Sequence, residues 1–264
     1  MPKLLGILNL SADSFSDGGL YSELDAAIAH ARRLIEGGAA VIDIGAVSSN
    51  PDGAGLDSRA EIDRLAPVVD ALMGAEIPVS IDSFAPDTQI WAAGQQVAML
   101  NDIRGFPEPR VWPVLADSDA QLVLMHSLQG GRADRRPGNA SSVLDAALQF
   151  FEHRLEQLLR AGIDEDRLII DPGMGFFLGS QPEPSVELLR QIDTLRARTG
   201  RPVLISVSRK SFLGNLLGGR APSDRHDATV AAEVFAVDQG AEWIRTHDPR
   251  ALTDALRIRS ALRG

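Results

Sequence analysis

The chain of 264 residues contains no cysteine. It can therefore form neither a disulfide framework nor a thiolate metal site, and it has no cysteine nucleophile. This composition agrees with a cytoplasmic protein. The apolar start at residues 4–10 is too short for a secretion signal or a membrane span, so no targeting or membrane segment is expected.

Positive charge is also scarce, because 36 acidic residues oppose 26 lysines and arginines and the formal net charge is -10. This balance argues against a nucleic-acid binder that neutralises phosphates over a wide surface. An anionic ligand would have to be bound by a local group of cations.

Lysine is almost absent, because only Lys3 and Lys210 interrupt an otherwise all-arginine set of basic side chains. Lysine and arginine are not interchangeable where a compact ammonium must donate to one atom or change its pKa. Lys210 lies in Val207-Ser208-Arg209-Lys210-Ser211, where an apolar run ends in hydroxyls and charge. It fits specific chemistry, although its spacing alone also fits a cation at the start of a helix.

Short apolar runs alternate with longer stretches of helical periodicity along the whole chain. The runs predict strands at residues 4–8, 40–44, 79–81, 97–100, 122–125, 168–170, 203–207 and 242–244. The longer stretches predict helices at residues 24–35, 62–73, 143–159, 185–198 and 229–237. Eight such units in one domain over residues 1–264 match a (β/α)8 TIM barrel, although a doubly wound sheet shares the alternation.

The strand ends favour the barrel, because each apolar run is followed by residues that can bind or react. In barrel enzymes the carboxyl ends of the strands form the active-site mouth, so polar groups from all eight strands are expected there. These groups are Asn9, Asp43, Asp82, Asn101 with Asp102, His126, Asp171, Ser208 to Lys210, and Arg245 with His247.

Eight short motifs follow one another along the predicted barrel. They are Asn9-Leu10-Ser11-Ala12-Asp13, Ile42-Asp43-Ile44-Gly45, Ile81-Asp82-Ser83, Asn101-Asp102-Ile103, Met125-His126, Asp171-Pro172-Gly173-Met174-Gly175-Phe176, Ser208-Arg209-Lys210-Ser211 and Arg245-Thr246-His247-Asp248. This ordered set resembles the dihydropteroate synthases, which condense 6-hydroxymethyl-7,8-dihydropterin pyrophosphate with para-aminobenzoate. The resemblance implies a pterin-binding barrel, a homodimer and a dissociative displacement that releases pyrophosphate.

The resemblance also implies a role for each matching residue. Asp82, Lys210 and Arg245 are the implied catalytic residues. The implied pterin-binding residues are Asp82, Asn101, Ile103, Met125, Asp171, Lys210 and Arg245. Asn9, Arg245 and His247 are implied to hold pyrophosphate, and Asn9 is also the implied ligand of Mg²⁺, the expected cofactor. The implied aminobenzoate-binding residues are Ser49, Pro51, Gly175, Phe176, Phe177, Lys210 and Ser211.

Two segments near the implied aminobenzoate site depart from the family pattern. Val47-Ser48-Ser49-Asn50-Pro51 stands where the family usually has Glu-Ser-Thr-Arg-Pro, and the loop continuing Phe177-Leu178-Gly179-Ser180 is about two residues longer than usual. Both changes resemble the sulfonamide-insensitive branch carried on resistance plasmids and integrons. We expect Phe177 at the rim of the aminobenzoate pocket, where it excludes the larger sulfonamide by collision.

Other functions share some of these residues. A pterin-binding methyltransferase domain that passes a methyl group to a corrinoid would use Asn101 and Asp171, but it needs no pyrophosphate site. An inactive paralogue that only binds pterin is compatible with the altered second loop. A lysine in a barrel also fits a Schiff-base aldolase, which borohydride trapping would reveal.

Overall fold

The computed structural model describes residues 1–10, 20–46, 56–130 and 142–263, and all eight predicted strands are present. They pair in parallel in the order β6-β5-β4-β3-β2-β1-β8-β7. A single parallel bridge between Ile170 and Val203 closes the ring. This closure confirms the barrel and rules out the open, doubly wound sheet. The strands are β1 Lys3–Asn9, β2 Val41–Gly45, β3 Val79–Asp82, β4 Met99–Asp102, β5 Gln121–Met125, β6 Leu168–Asp171, β7 Leu204–Ile205 and β8 Trp243–Thr246.

Ten α-helices within the described residues surround the barrel. They are α1 Leu20–Glu36, α2 Ser58–Gly74, α3 Pro86–Gly94, α4 Trp112–Asp117, α5 Val143–Arg160, α6 Glu183–Arg190, α7 Ile192–Thr199, α8 Ser211–Leu216, α9 His226–Asp238 and α10 Pro249–Arg263. None of the helices in these segments is long and apolar enough to cross a membrane.

The predicted helices are confirmed except for the one expected over residues 185–198. The chain breaks there at Gln191, whose φ of -112° is not helical, and forms α6 and α7 instead. Three further helices escaped prediction because α3, α4 and α8 have only 9, 6 and 6 residues, too few to show a periodic pattern. The longer α10 was also missed.

The pleat of the strands divides the barrel interior into an apolar base and a polar mouth. The base is a buried layer formed by Leu5, Val41, Met99, Val123, Ile169, Leu204 and Trp243. Side chains two residues apart on a strand point to the same face. The residues two positions after Val41, Met99, Ile169 and Trp243 are Asp43, Asn101, Asp171 and Arg245. The same alternation therefore builds the base and aims the polar groups above it.

Candidate active site

Arg245 on β8 joins two carboxylates inside the mouth. Its Nε lies 2.5 Å from Oδ2 of Asp43, and its Nη2 lies 2.7 Å from Oδ2 of Asp82. Asp43 is fully buried and also accepts a hydrogen bond from the Ser80 hydroxyl at 2.6 Å. One guanidinium from β8 thus bridges acidic groups on β2 and β3.

The electrostatics of this bridge leave one cation facing two acids. Burial disfavours the charged form of Arg245, but Asp43 and Asp82 outweigh it and raise its pKa. The pKa of Asp82 is raised to about 7, mainly by burial. Arg245 opposes this increase, and Asp43 adds to it. Arg245 is therefore a permanent cation, whereas Asp82 responds to any charge that enters the mouth.

Asn101 and Asp171 supply polar groups at the buried end of the mouth. Asn101 is 5% exposed, and its Oδ1 has no hydrogen-bond partner. Asp171 is 3% exposed, and its Oδ1 accepts from the backbone N–H of Gly173 at 2.8 Å. Burial raises the pKa of Asp171 to about 6, although Gly173, Lys210 and Arg245 oppose the increase. A buried acceptor without a donor is costly, so this region is suited to a ligand that donates hydrogen bonds.

Lys210 contacts the loop that follows β6. Its Nζ lies 4.6 Å from the ring centroid of Phe177, which is a cation–π distance. Phe177 is buried and packs with Ile103 and Met125, with Phe176 against the edge of this group. Burial lowers the pKa of Lys210 to about 8, and Arg245 adds to the decrease. The lysine is thus a poorly solvated ammonium held between a ring and the acids of the mouth.

Gly175 allows the loops after β6 and β7 to approach each other. Its φ of +65° favours glycine, and an added Cβ would lie 3.1 Å from the Ser211 hydroxyl and 3.4 Å from Cβ of Lys210. Gly175, Lys210 and Ser211, which the sequence assigned to one aminobenzoate site, therefore lie together.

His247 lies at the end of β8 beside Ser208. The Ser208 Oγ is 2.8 Å from Nδ1 of His247 and also accepts from its backbone N–H at 3.3 Å. Burial and then Arg209 and Arg245 lower the pKa of His247 to about 3, so the imidazole is uncharged. Asn9 is exposed at the end of β1. No group of three or more acidic or histidine side chains that could hold a metal occurs within the described residues.

Two of the expected mouth residues point elsewhere. Asp102 is fully buried and accepts hydrogen bonds from Gln89 and from the backbone N–H groups of Arg104 and Phe106. His126 packs 5.5 Å from the Phe150 ring, measured between centroids. Each follows an inward residue directly, so the pleat turns it outward. The prediction that all eight strands send polar groups into the mouth is therefore wrong for β5, which presents Met125.

Asp43 is the reverse case, a mouth residue to which the sequence assigned no role. Its position at a strand end and in the motif Ile42-Asp43-Ile44-Gly45 was the available signal. Ser49 and Pro51 lie outside the described residues, as does the segment 11–19 that follows β1.

Comparisons with known proteins agree with this arrangement. The profile of the family described as pterin binding enzyme matches residues 5–247. Dihydropteroate synthase type-2 of Escherichia coli is 54% identical over 260 residues, which cover 98% of this chain and 96% of the relative. Dihydropteroate synthase type-3 of the same species is 47% identical over 263 residues, covering 99% of this chain and 100% of the relative. This chain belongs to the dihydropteroate synthase family.

A solved structure of the dihydropteroate synthase family extends the match to the fold. The Xanthomonas albilineans dihydropteroate synthase with 4-aminobenzoic acid superimposes with a TM-score of 0.89 at 36% identity, covering 100% of this chain and 93% of that one. The family, the barrel and the enzyme class predicted from the sequence are confirmed.

Asp171→Asn is expected to stabilise this dihydropteroate synthase family member at pH 8. Raising the pKa of the buried acid from 3.8 to about 6 makes its ionisation costly in the folded state. Because that cost is absent below 3.8 and complete above about 6, Asp171→Asn should gain about 1–3 kcal/mol at pH 8 and nothing at pH 3.5. Urea unfolding at both pH values measures this difference.

Asp248→Asn is the matched control, because the pKa of Asp248 is lowered and its carboxylate caps α10 through the Ala251 N–H. This variant should lose stability at pH 8. A loss of stability in Asp171→Asn at the same pH would contradict the assignment of Asp171 as a strained, ligand-facing acid.

Proposed function

We propose that the mouth condenses 6-hydroxymethyl-7,8-dihydropterin pyrophosphate with para-aminobenzoate, giving 7,8-dihydropteroate and pyrophosphate in folate biosynthesis. The observation that carries this proposal is the unpartnered Asn101 Oδ1, in a mouth that also holds the buried acid Asp171 and the cations Lys210 and Arg245. Two relatives named dihydropteroate synthase, which this chain matches over nearly their whole length, support the proposal.

The pterin edge matches the donors and acceptors of Asn101 and Asp171. Its amino-pyrimidinone side offers adjacent N–H donors, which the free amide oxygen and the carboxylate accept. Ile103 and Met125 supply apolar contact for the rings, since both are buried in the cluster that faces the mouth. Lys210 donates to a ring heteroatom, where a compact ammonium fits better than a guanidinium.

The pyrophosphate lies against Arg245 and His247. Because the Ser208 oxygen accepts from the His247 backbone, its hydroxyl hydrogen is free to donate to Nδ1. The uncharged imidazole then carries its hydrogen on Nε2, and this N–H donates a hydrogen bond to a phosphate oxygen.

Mg²⁺ fits this site as an ion carried mainly by the diphosphate, with one protein oxygen from Asn9. Such a site needs few protein ligands because magnesium keeps most of its waters, and the described residues offer no carboxylate cage. When bound, the ion would neutralise charge on the leaving group.

The reaction proceeds by loss of pyrophosphate before attack. The methylene C–O bond breaks, its electron pair leaves with pyrophosphate, and the cation is delocalised over the dihydropterin. The aminobenzoate nitrogen then donates its lone pair to the methylene carbon and releases a proton to solvent. Asp82 stabilises the cation, because the arriving diphosphate competes for Arg245 and leaves the carboxylate with charge to share.

The aminobenzoate carboxylate is placed by the loops after β6 and β7. Ser211 and the backbone N–H groups at the start of α8 provide donors, and Lys210 borders the ring. Gly175 lies against Lys210 and Ser211 and, with Phe176, belongs to the same site in our proposal. The resemblance alone assigns Ser49 and Pro51 to this site.

Lys210→Arg tests the catalytic assignment, and Lys3→Arg is its matched control as the other lysine of the chain. Arginine retains charge but not the compact donor, so kcat/KM should fall about 10- to 100-fold in Lys210→Arg. Lys3→Arg should stay within about twofold, since surface changes are mostly neutral. The rate of pyrophosphate release is measured continuously for both variants. The same assay is run with and without para-aminobenzoate to test the order of steps. It is repeated with EDTA and with an Asn9→Ala variant to test the magnesium site.

A dissociative displacement predicts some pyrophosphate release in the absence of para-aminobenzoate. If pyrophosphate release strictly requires the amine, the dissociative mechanism is wrong, although the assigned enzyme activity still stands. Pterin binding without turnover would favour the inactive paralogue. Unchanged rates in EDTA and in Asn9→Ala would remove the magnesium proposal.

We further propose that Phe177 excludes sulfonamides from the aminobenzoate site. The ring forms part of the buried wall of the mouth, 3% exposed, rather than lying on an open rim. It is held by Ile103, Met125 and the ammonium of Lys210. A group bulkier than the aminobenzoate carboxylate would have to displace a ring that is packed on several sides.

Phe177→Ala should therefore lower the sulfamethoxazole inhibition constant at least about tenfold, while the para-aminobenzoate KM changes less than about threefold. Leu178→Ala is the matched control, because Leu178 is equally buried in the same loop but belongs to the core outside the mouth. Equal drug sensitivity of wild type and Phe177→Ala would sink the proposal.

We also propose a homodimer in which a second copy covers the later helices. Leu216 at the end of α8 and Phe235 on α9 are 56% and 40% exposed. Phe235→Glu should shift sedimentation-equilibrium profiles towards monomer, whereas Leu159→Glu, 43% exposed on α5, should not. A monomeric wild type would contradict the proposal.

A further inference from the structure

Glu233 on α9 is a buried acid that the proposed reaction does not use. Its side chain is fully buried, and neither carboxyl oxygen forms a hydrogen bond of good geometry, although the Thr246 hydroxyl lies close enough to lower the pKa of the group. Buried charged groups are rare unless they are paired, so a carboxyl group in this state calls for a physical explanation.

Glu233 faces the ends of two strands that carry the proposed pyrophosphate site. It lies one helical turn after Thr229, whose hydroxyl accepts from the Arg209 N–H at 3.0 Å. Both residues line a cavity of ≈ 10 Å³ together with Ser208, Thr246 and His247. A cavity of this size has room for about one water, provided that polar partners surround it.

Burial favours the uncharged form of Glu233 near neutral pH, and the groups around the cavity modify this effect. Burial raises its pKa to about 8, Thr246 opposes the increase, Asp248 adds to it and His226 lowers it. Arg209 and the uncharged His247 also line the cavity. A protonated carboxyl group both donates and accepts hydrogen bonds, which a carboxylate cannot do.

We propose that Glu233 is a positioning residue for pyrophosphate: its buried carboxyl group binds, through one water in the cavity, the strand ends that carry Ser208 and His247. The inference rests on the proposed function for the role of His247. The hydrogen bond from the Arg209 N–H to Thr229 already connects the loop after β7 to α9. Glu233 adds a second, water-mediated connection one turn further along the helix. The strand ends are thereby held in the geometry that presents the imidazole to a phosphate oxygen.

The uncharged form matters because the cavity lies directly behind an anion site. An ionised carboxylate in the lining that it shares with His247 would repel a phosphate bound to the imidazole. It would also lack the proton needed to donate to the water. Affinity for pyrophosphate should therefore fall as Glu233 ionises.

Glu233→Gln and Glu233→Leu separate these roles. At pH 7, Glu233→Gln keeps a neutral donor and acceptor and should bind inorganic pyrophosphate within about twofold of wild type. Glu233→Leu removes the polar tie and should weaken binding about fivefold to tenfold, raising KM for the pterin substrate more than it lowers kcat. Isothermal titration with pyrophosphate and steady-state kinetics give both values.

The pH dependence provides a readout that a merely structural residue would not change. From pH 7 to pH 9, wild type should lose about threefold to tenfold more pyrophosphate affinity than Glu233→Gln. Lys210 also titrates near this range, but it does so in both proteins and cancels in their ratio. A constant ratio across the range would overturn the proposal, as would wild-type affinity in Glu233→Leu.

Two controls separate this inference from the proposed function. If His247→Ala binds pyrophosphate as wild type does, the proposed anion site itself fails. If His247→Ala weakens binding and Glu233→Leu does not, only the role of Glu233 fails. Infrared spectra of wild type at pH 7 should show a protonated-carboxyl band that is lost in Glu233→Gln. Identical spectra would contradict an uncharged Glu233. This test does not depend on the folding of Glu233→Leu.

Discussion

The bridge from Arg245 to Asp43 and Asp82 is the interaction on which the rest of the mouth depends. It joins β8 to β2 and β3 across the open end of the barrel, and it keeps one permanent cation among several buried acids. Without that cation, the buried Asp43 and the partly buried Asp82 would be acids without a cationic partner between them. With it, the pKa of Asp82 lies at about 7, and in our proposal an incoming diphosphate changes the charge of the whole site by competing for Arg245.

In our proposal, the loops above this bridge connect the pterin site with the aminobenzoate site. Lys210 lies against Phe177 on one side and is influenced by Asp82 and Asp171 on the other. In our proposal, the residue that shapes the aminobenzoate pocket, Phe177, therefore also contacts the ammonium group that donates to the pterin. Drug exclusion and substrate binding share one contact in our proposal, so the lengthened loop has to be compatible with both.

Much of the fold and part of the site could be predicted from the chain alone. The eight apolar runs and the polar residues that follow them are local patterns, and Asp171, Asn101 and Arg245 were predicted because they follow these runs within motifs that resemble the family's. The structure adds that strand alternation places each of them two residues beyond an inward apolar partner. Asp102 and His126 look equally functional in the sequence. They differ from Asn101 and Asp171 only in the phase of the pleat, which the sheet register determines.

Composition, periodicity and motif order by themselves determined the barrel, the family and the identity of most mouth residues, because these features depend on near neighbours along the chain. The tertiary structure alone decided what those residues contact. Asp43 and Arg245 are separated by 202 positions, and Lys210 and Phe177 come from different loops. Glu233 reads as a surface residue of a helix until packing shows it buried behind His247, because burial and charge coupling arise only when distant segments come together.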